Sequence, residues 1–243
     1  DMGNYRKRLT APDAWRIRKK TSAWVTKTSP GPHDRNAMPI AVWLRDRMGL
    51  ARTMHEVKQI LNQRAVIVNG RAVTDPGLGI GIFDVVSLPG IHKHYRVLVD
   101  EKGNLVTREI GEEDARMRLA KIRGKTIVPG GRVQLNLSFG ANILADNTYR
   151  PGDSIVIALD ESERFRILEH YPFGIGAYAL VIGGRHAGMV GRIVEIATVP
   201  GSVPNRVVLE GEGGMGRFDT IGTYVFVIGR DAAAARRWGV VES

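Results

Sequence analysis

The sequence predicts an α+β protein made of several small domains. Three observations support this. The first 36 residues alternate basic clusters with tryptophans, residues 37–90 carry two helical patterns and a hairpin signal, and the remainder consists of short apolar runs separated by turns rich in Gly and Pro. The predicted regions are a basic N-terminal arm (1–36), a two-helix-plus-hairpin domain (37–90), a β-rich central domain (91–171) and a small closed β-barrel with a C-terminal tail (172–243).

The charge of the chain favours a polyanionic partner. It holds 35 Lys and Arg against 25 Asp and Glu, a net charge of +10, with nine basic and three acidic residues in the first 36. No cysteine occurs, which excludes disulfides and cysteine-ligated zinc. No apolar run approaches the roughly 20 residues of a transmembrane helix, and no apolar segment follows the basic N-terminus. We therefore expect a soluble, cytoplasmic protein.

The arm predicts a nucleic-acid contact. Its few aliphatic residues cannot offset the ordering entropy of the segment, so we expect residues 1–36 to be disordered alone and ordered on RNA. Trp15 and Trp24 would either stack on bases or anchor the arm to the body, and the simpler alternative is a solvated basic tail. The predicted RNA-contacting residues are Arg6, Lys7, Arg8, Trp15, Arg16, Arg18, Lys19, Lys20, Trp24, Lys27 and His33.

Residues 40–88 predict a compact domain. Apolar residues from Ile40 to Met48 indicate a helix ending near Gly49, and the capping pair Thr53 and Glu56 starts a second helix. The pair Asn69-Gly70 between two apolar runs predicts a type I′ hairpin. Exposed cations of this domain would contact RNA, although a solvated helix face gives the same pattern. They are Arg52, Lys58, Arg64 and Arg71.

The nearly neutral region 91–171 is predicted to be a scaffold. Strands are expected at 95–99, 105–110, 133–137 and 155–157. Glu112, Glu113 and Asp114 predict the start of a helix that would continue to a cap at Gly124.

After residue 172, a glycine-rich loop between two apolar runs is the most informative feature. Gly183 and Gly184 are expected to adopt positive φ, and Gly188 and Gly191 to permit close backbone approach. Arg185 and His186 would project from its tip toward RNA, whereas an ordinary glycine-rich hairpin is the alternative. Strands are expected at 179–182, 189–196, 207–210 and 224–228, followed by a terminal helix or tail.

Catalytic and cofactor patterns do not occur in the sequence. His92 and His94 lack a third ligand for a metal. The glycines of residues 77–81 and 211–217 lack the context of a dinucleotide-binding loop or a P-loop. We therefore predict no catalytic residues, no metal, no cofactor and no small-molecule substrate.

Two segments resemble known RNA-associated modules. Residues 180–194 resemble the KOW motif, which implies an SH3-like barrel. Residues 53–73 resemble the S4 RNA-binding domain, with Val68-Asn69-Gly70-Arg71 matching its hairpin. Met54 stands where that domain usually has Arg, and Arg64 where it usually has Gly, so Arg52 and Arg64 are expected to supply the phosphate contact.

The order of the four regions is similar to that of one family, the S4e small-subunit ribosomal proteins of archaea and eukaryotes. Further matches are Lys7-Arg8-Leu9, Pro30-Gly31-Pro32-His33, Leu44-Arg45-Asp46 and the segment 224–229. The resemblance implies a structural ribosomal protein, not an enzyme, that contacts small-subunit rRNA, expected in its 5′ domain, and neighbouring ribosomal proteins. It adds Arg45 to the predicted RNA contacts.

Two other classes fit less of the chain. RNA-modifying enzymes such as pseudouridine synthases also carry S4-like domains, but their Arg-Leu-Asp motif and large catalytic domain are missing here. A transcription elongation factor would explain the KOW-like segment and would leave residues 40–88 unexplained.

Overall fold

The computed structural model describes residues 2–30, 33, 37–198 and 206–241, and its residues gather into two compact units. The first unit comprises the chain up to residue 98, 104–118 and 159–163, and the second comprises 99–103, 119–158 and the chain from 164. The predicted boundaries at 36/37 and 90/91 fall inside the first unit. Gly31 and Pro32 of the predicted turn lie outside the described residues.

The N-terminal arm is folded onto the first unit. Strands β1 (Tyr5–Lys7) and β2 (Trp24–Thr26) form an antiparallel ribbon. Trp15, Ile17 and Val25 are buried in the core of the residues that follow. The expectation of an arm that is disordered without RNA is therefore wrong for this structure. The sequence argument counted only the core that the arm could form by itself, whereas its few apolar side chains share a larger one.

Two helices of this unit lie where the sequence predicts them. Strand β3 (Met38–Pro39) leads into helix α1 (Ile40–Val42), which continues as a π-helical turn over Trp43–Arg47 and ends before Gly49 at φ 66°. Helix α2 (Met54–Asn62) begins at Thr53, whose Oγ1 accepts a hydrogen bond from the Glu56 N–H at 3.2 Å. The Glu56 carboxylate returns to the Arg52 N–H at 2.6 Å, one residue earlier than in an ideal capping box.

A five-stranded sheet in the order β5-β4-β7-β8-β9 completes the first unit. Its strands are β4 (Ile67–Val68), β5 (Arg71–Ala72), β7 (Val85–Leu88), β8 (Lys93–Val99) and β9 (Leu105–Ile110), while β6 (Gly79–Ile80) pairs with β3. The hairpin prediction is confirmed, because Asn69 and Gly70 have φ of 49° and 81° between β4 and β5.

The long helix predicted from residue 112 is wrong. Helix α3 spans only Glu112–Ala115, and strand β10 (Met117–Val128) follows. The acidic residues form a single helical turn, where negative charge is favourable near the helix N-terminus, as the sequence indicates. The residues after it hydrogen-bond to two neighbouring strands instead, so tertiary pairing overrides the local helical signal.

The second unit is built from two five-stranded antiparallel sheets. One has the order β12-β11-β10-β13-β14, with β11 (Arg132–Leu137), β12 (Asn142–Ala145), β13 (Ser154–Ala158) and β14 (Ile167–Tyr171). The other has the order β18-β17-β16-β15-β19, with β15 (Tyr178–Val181), β16 (Val190–Ala197), β17 (Arg206–Gly211), β18 (Arg217–Ile221) and β19 (Val225–Gly229). Helix α4 (Ala233–Arg237) follows. The sequence pattern predicts neither β12 nor β14 nor β18.

Short 3₁₀ turns connect several of these elements. They span Met2–Asn4, Arg8–Thr10, Asp13–Trp15, Pro89–Ile91, Glu161–Glu163 and Gly222–Tyr224.

The glycines of the loop between β15 and β16 have distinct roles. Gly184 and Gly188 have φ of 74° and 90°. A Cβ on Gly183 would lie 2.6 Å from the Tyr224 ring, and one on Gly191 would lie 2.6 Å from the Glu210 carbonyl oxygen. Gly183 therefore serves close packing and does not supply the positive φ that the sequence suggested.

We expect Gly188→Ala to destabilise the protein by about 2 kcal/mol or more, because a Cβ there would overlap the Asp100 carbonyl and strain a positive φ. Gly130→Ala is the matched control, since Gly130 has φ 88° and no atom within 4 Å of its Cβ position. It should cost only about 1 kcal/mol. Urea unfolding measures both, and equal losses would show that the close approach at Gly188 has no energetic weight.

Candidate RNA-binding surface

The arm presents an exposed set of cations beside an exposed tryptophan. Lys7 on β1 lies directly opposite Trp24 on β2, and both side chains are solvent-exposed, with 51% of Trp24 accessible. Directly opposed residues of a ribbon project from the same face. In such an arrangement the indole ring can stack on a base, and the neighbouring ammonium group can contact the phosphate of that nucleotide. The other exposed cations of the arm are Arg16, Arg18, Lys20 and Lys27.

Arg8 and Trp15, both predicted to contact RNA, are instead structural. The Arg8 side chain is 5% exposed, and its Nη2 donates to Asp46 Oδ1 at 2.8 Å while its Nε donates to the Arg18 carbonyl. Trp15 is completely buried. Of the two roles considered for the tryptophans, the structure gives Trp15 the anchor and leaves Trp24 able to stack.

Three more predicted contacts of the arm are partly or wholly engaged within the protein. Arg6 donates to the Thr10 carbonyl at 2.7 Å and lies 5.8 Å from the Trp15 ring centre. Lys19 pairs with Asp13 at 3.1 Å. His33 Nε2 lies 2.7 Å from the buried carboxylate of Asp84, so its ring is engaged within the protein.

The S4-like part presents a second group of cations. Lys58 is exposed on α2 beside the face that buries Val57 and Leu61, and Arg52 precedes the helix in an exposed position. Arg64 is exposed just after the helix with φ 54°, the conformation that glycine adopts there most easily. Arg71 is exposed at the start of β5. Arg45 is less available, because it donates to Asp46 at 3.0 Å.

Asp84 is the centre of a buried network that fixes the hairpin between β4 and β5. Its carboxylate accepts hydrogen bonds from the Asn69 amide at 2.9 Å and the Gly81 N–H at 2.9 Å, and it also pairs with His33 and Arg118. Burial alone would raise the pKa of Asp84, but the charges of His33 and Arg118 outweigh burial and hold this pKa far below its usual range. Asn69 therefore has two roles: it adopts the positive φ of the turn, and its amide donates a hydrogen bond to this carboxylate.

The glycine-rich loop of the second unit exposes one cation. Arg185 is exposed at its tip, as predicted, while the His186 ring packs at 5.1 Å from the Phe218 ring. Arg185 is thus free to reach a phosphate, and His186 is partly held by packing.

Two findings on the residues that the structure describes concern metal ligands and membrane-spanning helices. Within these residues, no three His, Cys, Asp or Glu side chains cluster as a metal site would require. His94 hydrogen-bonds Ser87 at 2.8 Å. None of the helices that the structure describes has the length or apolar character needed to span a bilayer.

We expect Trp24→Ala to weaken rRNA binding by about 1–3 kcal/mol without changing its salt dependence, because stacking releases no counterions. Trp15→Ala should instead lower the free energy of unfolding by about 3–5 kcal/mol, because it empties a core site. Binding titrations at two salt concentrations and urea unfolding measure these effects. An unchanged affinity for Trp24→Ala would exclude its stacking role.

Models of known protein families match three consecutive segments of this chain. A model of the S4 domain matches residues 38–86, one of the RS4NT (NUC023) domain matches 6–36, and one of the ribosomal family S4e matches 91–164. The small ribosomal subunit protein eS4 of Methanospirillum hungatei is 53% identical over 241 residues, which cover 99% of this chain and all of that one. The eS4 protein of Archaeoglobus fulgidus is 43% identical over 93% of each chain.

A solved structure supports the same relationship. The crystal structure of the 30S ribosomal protein S4e from Thermoplasma acidophilum matches with a TM-score of 0.67 and 28% identity, over 81% of this chain and 96% of that one. The match at residues 38–86 places the chain in the class of S4-domain proteins. More particularly, the chain belongs to the ribosomal S4e family.

Proposed function

We propose that this protein is a structural constituent of the small ribosomal subunit that binds and stabilises small-subunit rRNA and catalyses no reaction. The observation that carries the proposal is the 53% identity, over the whole length of both chains, to a protein named small ribosomal subunit protein eS4. The exposed cations of the arm and of the S4 domain supply the chemistry that rRNA phosphates require. The site of action is then the ribosome in the cytoplasm, beside other ribosomal proteins.

We further propose different roles for the four sequence regions. Residues 1–36 and 37–90 make the main rRNA contacts, 91–171 act as a scaffold, and 172–243 form an SH3-like KOW barrel that presents Arg185. One observation supports the barrel: a single buried cluster takes residues from β15, β16, β17, β18 and β19. From the resemblance to the S4e family, we propose that the rRNA contact lies in the 5′ domain.

Filter binding with separate rRNA fragments tests the placement. Fragments of the 5′, central and 3′ domains of small-subunit rRNA are titrated with the full chain at one salt concentration. We expect the 5′ fragment to bind at least about tenfold more tightly than the others, which corresponds to about 1.4 kcal/mol. Equal affinities would refute the 5′ placement, and stronger binding to another fragment would relocate it.

A further inference from the structure

The second unit contains a cleft of about 570 Å³ that none of the predicted RNA contacts lines. Its polar side chains are Lys121, Arg123, Ser138 and Thr223. Phe173, Ile182 and Phe226 supply an apolar wall. This volume and this mixture of an apolar wall with a few polar groups are typical of sites that hold a small organic molecule.

Lys121 is held in a fixed position at this cleft. It is 9% exposed, and its Nζ donates to the carbonyl oxygens of Val225 at 2.7 Å and Gly222 at 3.1 Å. A lysine ammonium has three N–H donors, so these two carbonyls leave one N–H for another acceptor. The backbone N–H of Lys121 also donates to Ser138 Oγ at 3.1 Å, which leaves the Ser138 hydroxyl proton able to donate elsewhere.

Arg123 is brought to the same cleft by an irregularity in the sheet. On β10, Ile122 pairs with Leu137 and Gly124 pairs with Asn136, so Arg123 is an extra residue in the ladder. Such a β-bulge changes the direction of a side chain and is common beside functional sites. The exposed Arg123 and the buried Lys121 therefore line the same cleft.

Lys121 and Arg123 line the same cleft and are close enough for the charge of Arg123 to act on Lys121. None of the described residues that line the cleft is Asp or Glu. Burial, with a smaller contribution from the charge of Arg123, lowers the pKa of Lys121 to about 8. Two neighbouring cations that repel each other are stabilised by a bound anion.

We infer that this cleft binds a single unstacked nucleotide of RNA, its phosphate between Lys121 and Arg123 and its base against the apolar wall. The phosphate would neutralise the two cations. The base and the ribose would fill the volume beside the apolar wall, which a free phosphate ion would leave empty. Hydroxyl groups of Ser138 and Thr223 can donate to phosphate or ribose oxygens. The choice of an RNA nucleotide rests on the proposed function.

Binding of adenosine monophosphate to the full-length protein, followed by NMR, tests the cleft. Inorganic phosphate and adenosine serve as the two partial probes. We expect the mononucleotide to bind at millimolar concentration and more tightly than either partial probe, and to raise the pKa of Lys121. Arg123→Gln should weaken its binding about tenfold, while Arg132→Gln, which removes an equal exposed charge from β11 outside the cleft, should not.

The outcomes separate this inference from the proposed function, because rRNA binding is measured on the same variants. If the mononucleotide does not bind, or if Arg123→Gln and Arg132→Gln weaken it equally, the cleft is not a nucleotide site even when wild-type protein binds rRNA. Equal binding of inorganic phosphate and the mononucleotide would overturn the role of the apolar wall. If the mononucleotide binds as expected and wild-type protein does not bind rRNA, the proposed function fails and the nucleotide site stands.

Discussion

Replacing Asp84 with alanine is expected to lower the free energy of unfolding by about 3–5 kcal/mol. The substitution removes the carboxylate that pairs with the fully buried side chain of Arg118, so that this charge loses its ion-pair partner on Asp84. It also removes acceptors from the Asn69 amide, the Gly81 N–H and His33. Because Asn69 forms the hairpin between β4 and β5, loss of this network should weaken the first unit as a whole.

Urea unfolding of Asp84→Ala and of a control measures this effect. Asp219→Ala removes an exposed carboxylate that pairs with Arg206 on a neighbouring strand, and it should leave stability unchanged. The folded-state pKa of Asp84 lies below its unfolded value, so the contribution is present above about pH 4 and is lost as the pH falls further. Equal stability of the two variants at neutral pH would show that the network contributes nothing.

Removing the five exposed cations among the described residues of the arm is expected to have the largest effect on rRNA binding. The variant replaces Lys7, Arg16, Arg18, Lys20 and Lys27 with glutamine. If each cation neutralises one phosphate, the slope of log affinity against log salt should fall by about 4, since each contact contributes about 0.7–0.9. Substitution is preferable to deletion of residues 1–36, because deletion would also remove Trp15, Ile17 and Val25 from the core.

A control variant separates local contacts from net charge. It replaces five exposed arginines of the second unit with glutamine: Arg132, Arg150, Arg217, Arg230 and Arg236. We expect a much smaller change in slope than for the arm variant. Equal changes in the two variants would mean that the arm attracts rRNA only through the total charge of the protein.

Features that depend on neighbouring residues could be predicted from the sequence. Asn69 and Gly70 specify their turn because both central positions need positive φ, and Thr53 specifies a helix start because its hydroxyl reaches Glu56. The spacing of Gly188 and Gly191 likewise predicts close backbone approach, and the structure places the backbone of Asp100 and of Glu210 against them.

Features that depend on distant residues could not. Asp84 meets His33, 51 positions away, and Arg118, 34 positions away, and no local pattern announces such partners. For the same reason the basic cluster around Arg8 predicts a phosphate contact, whereas the structure pairs Arg8 with Asp46, 38 positions away. The residues of β10 carry a local helical pattern, but their pairing with β11 and β13 depends on the fold and not on that pattern.

Crosslinking in cell extract followed by sequencing of the bound RNA tests the central claim most directly. Tagged full-length protein and the arm variant lacking five cations are irradiated in parallel, and the crosslinked RNA is recovered under denaturing conditions. We predict that reads from the wild-type protein concentrate on small-subunit rRNA, mainly in its 5′ domain, and that the arm variant loses most of them. Reads spread over messenger or transfer RNA without enrichment of small-subunit rRNA would contradict a role as a constituent of that subunit.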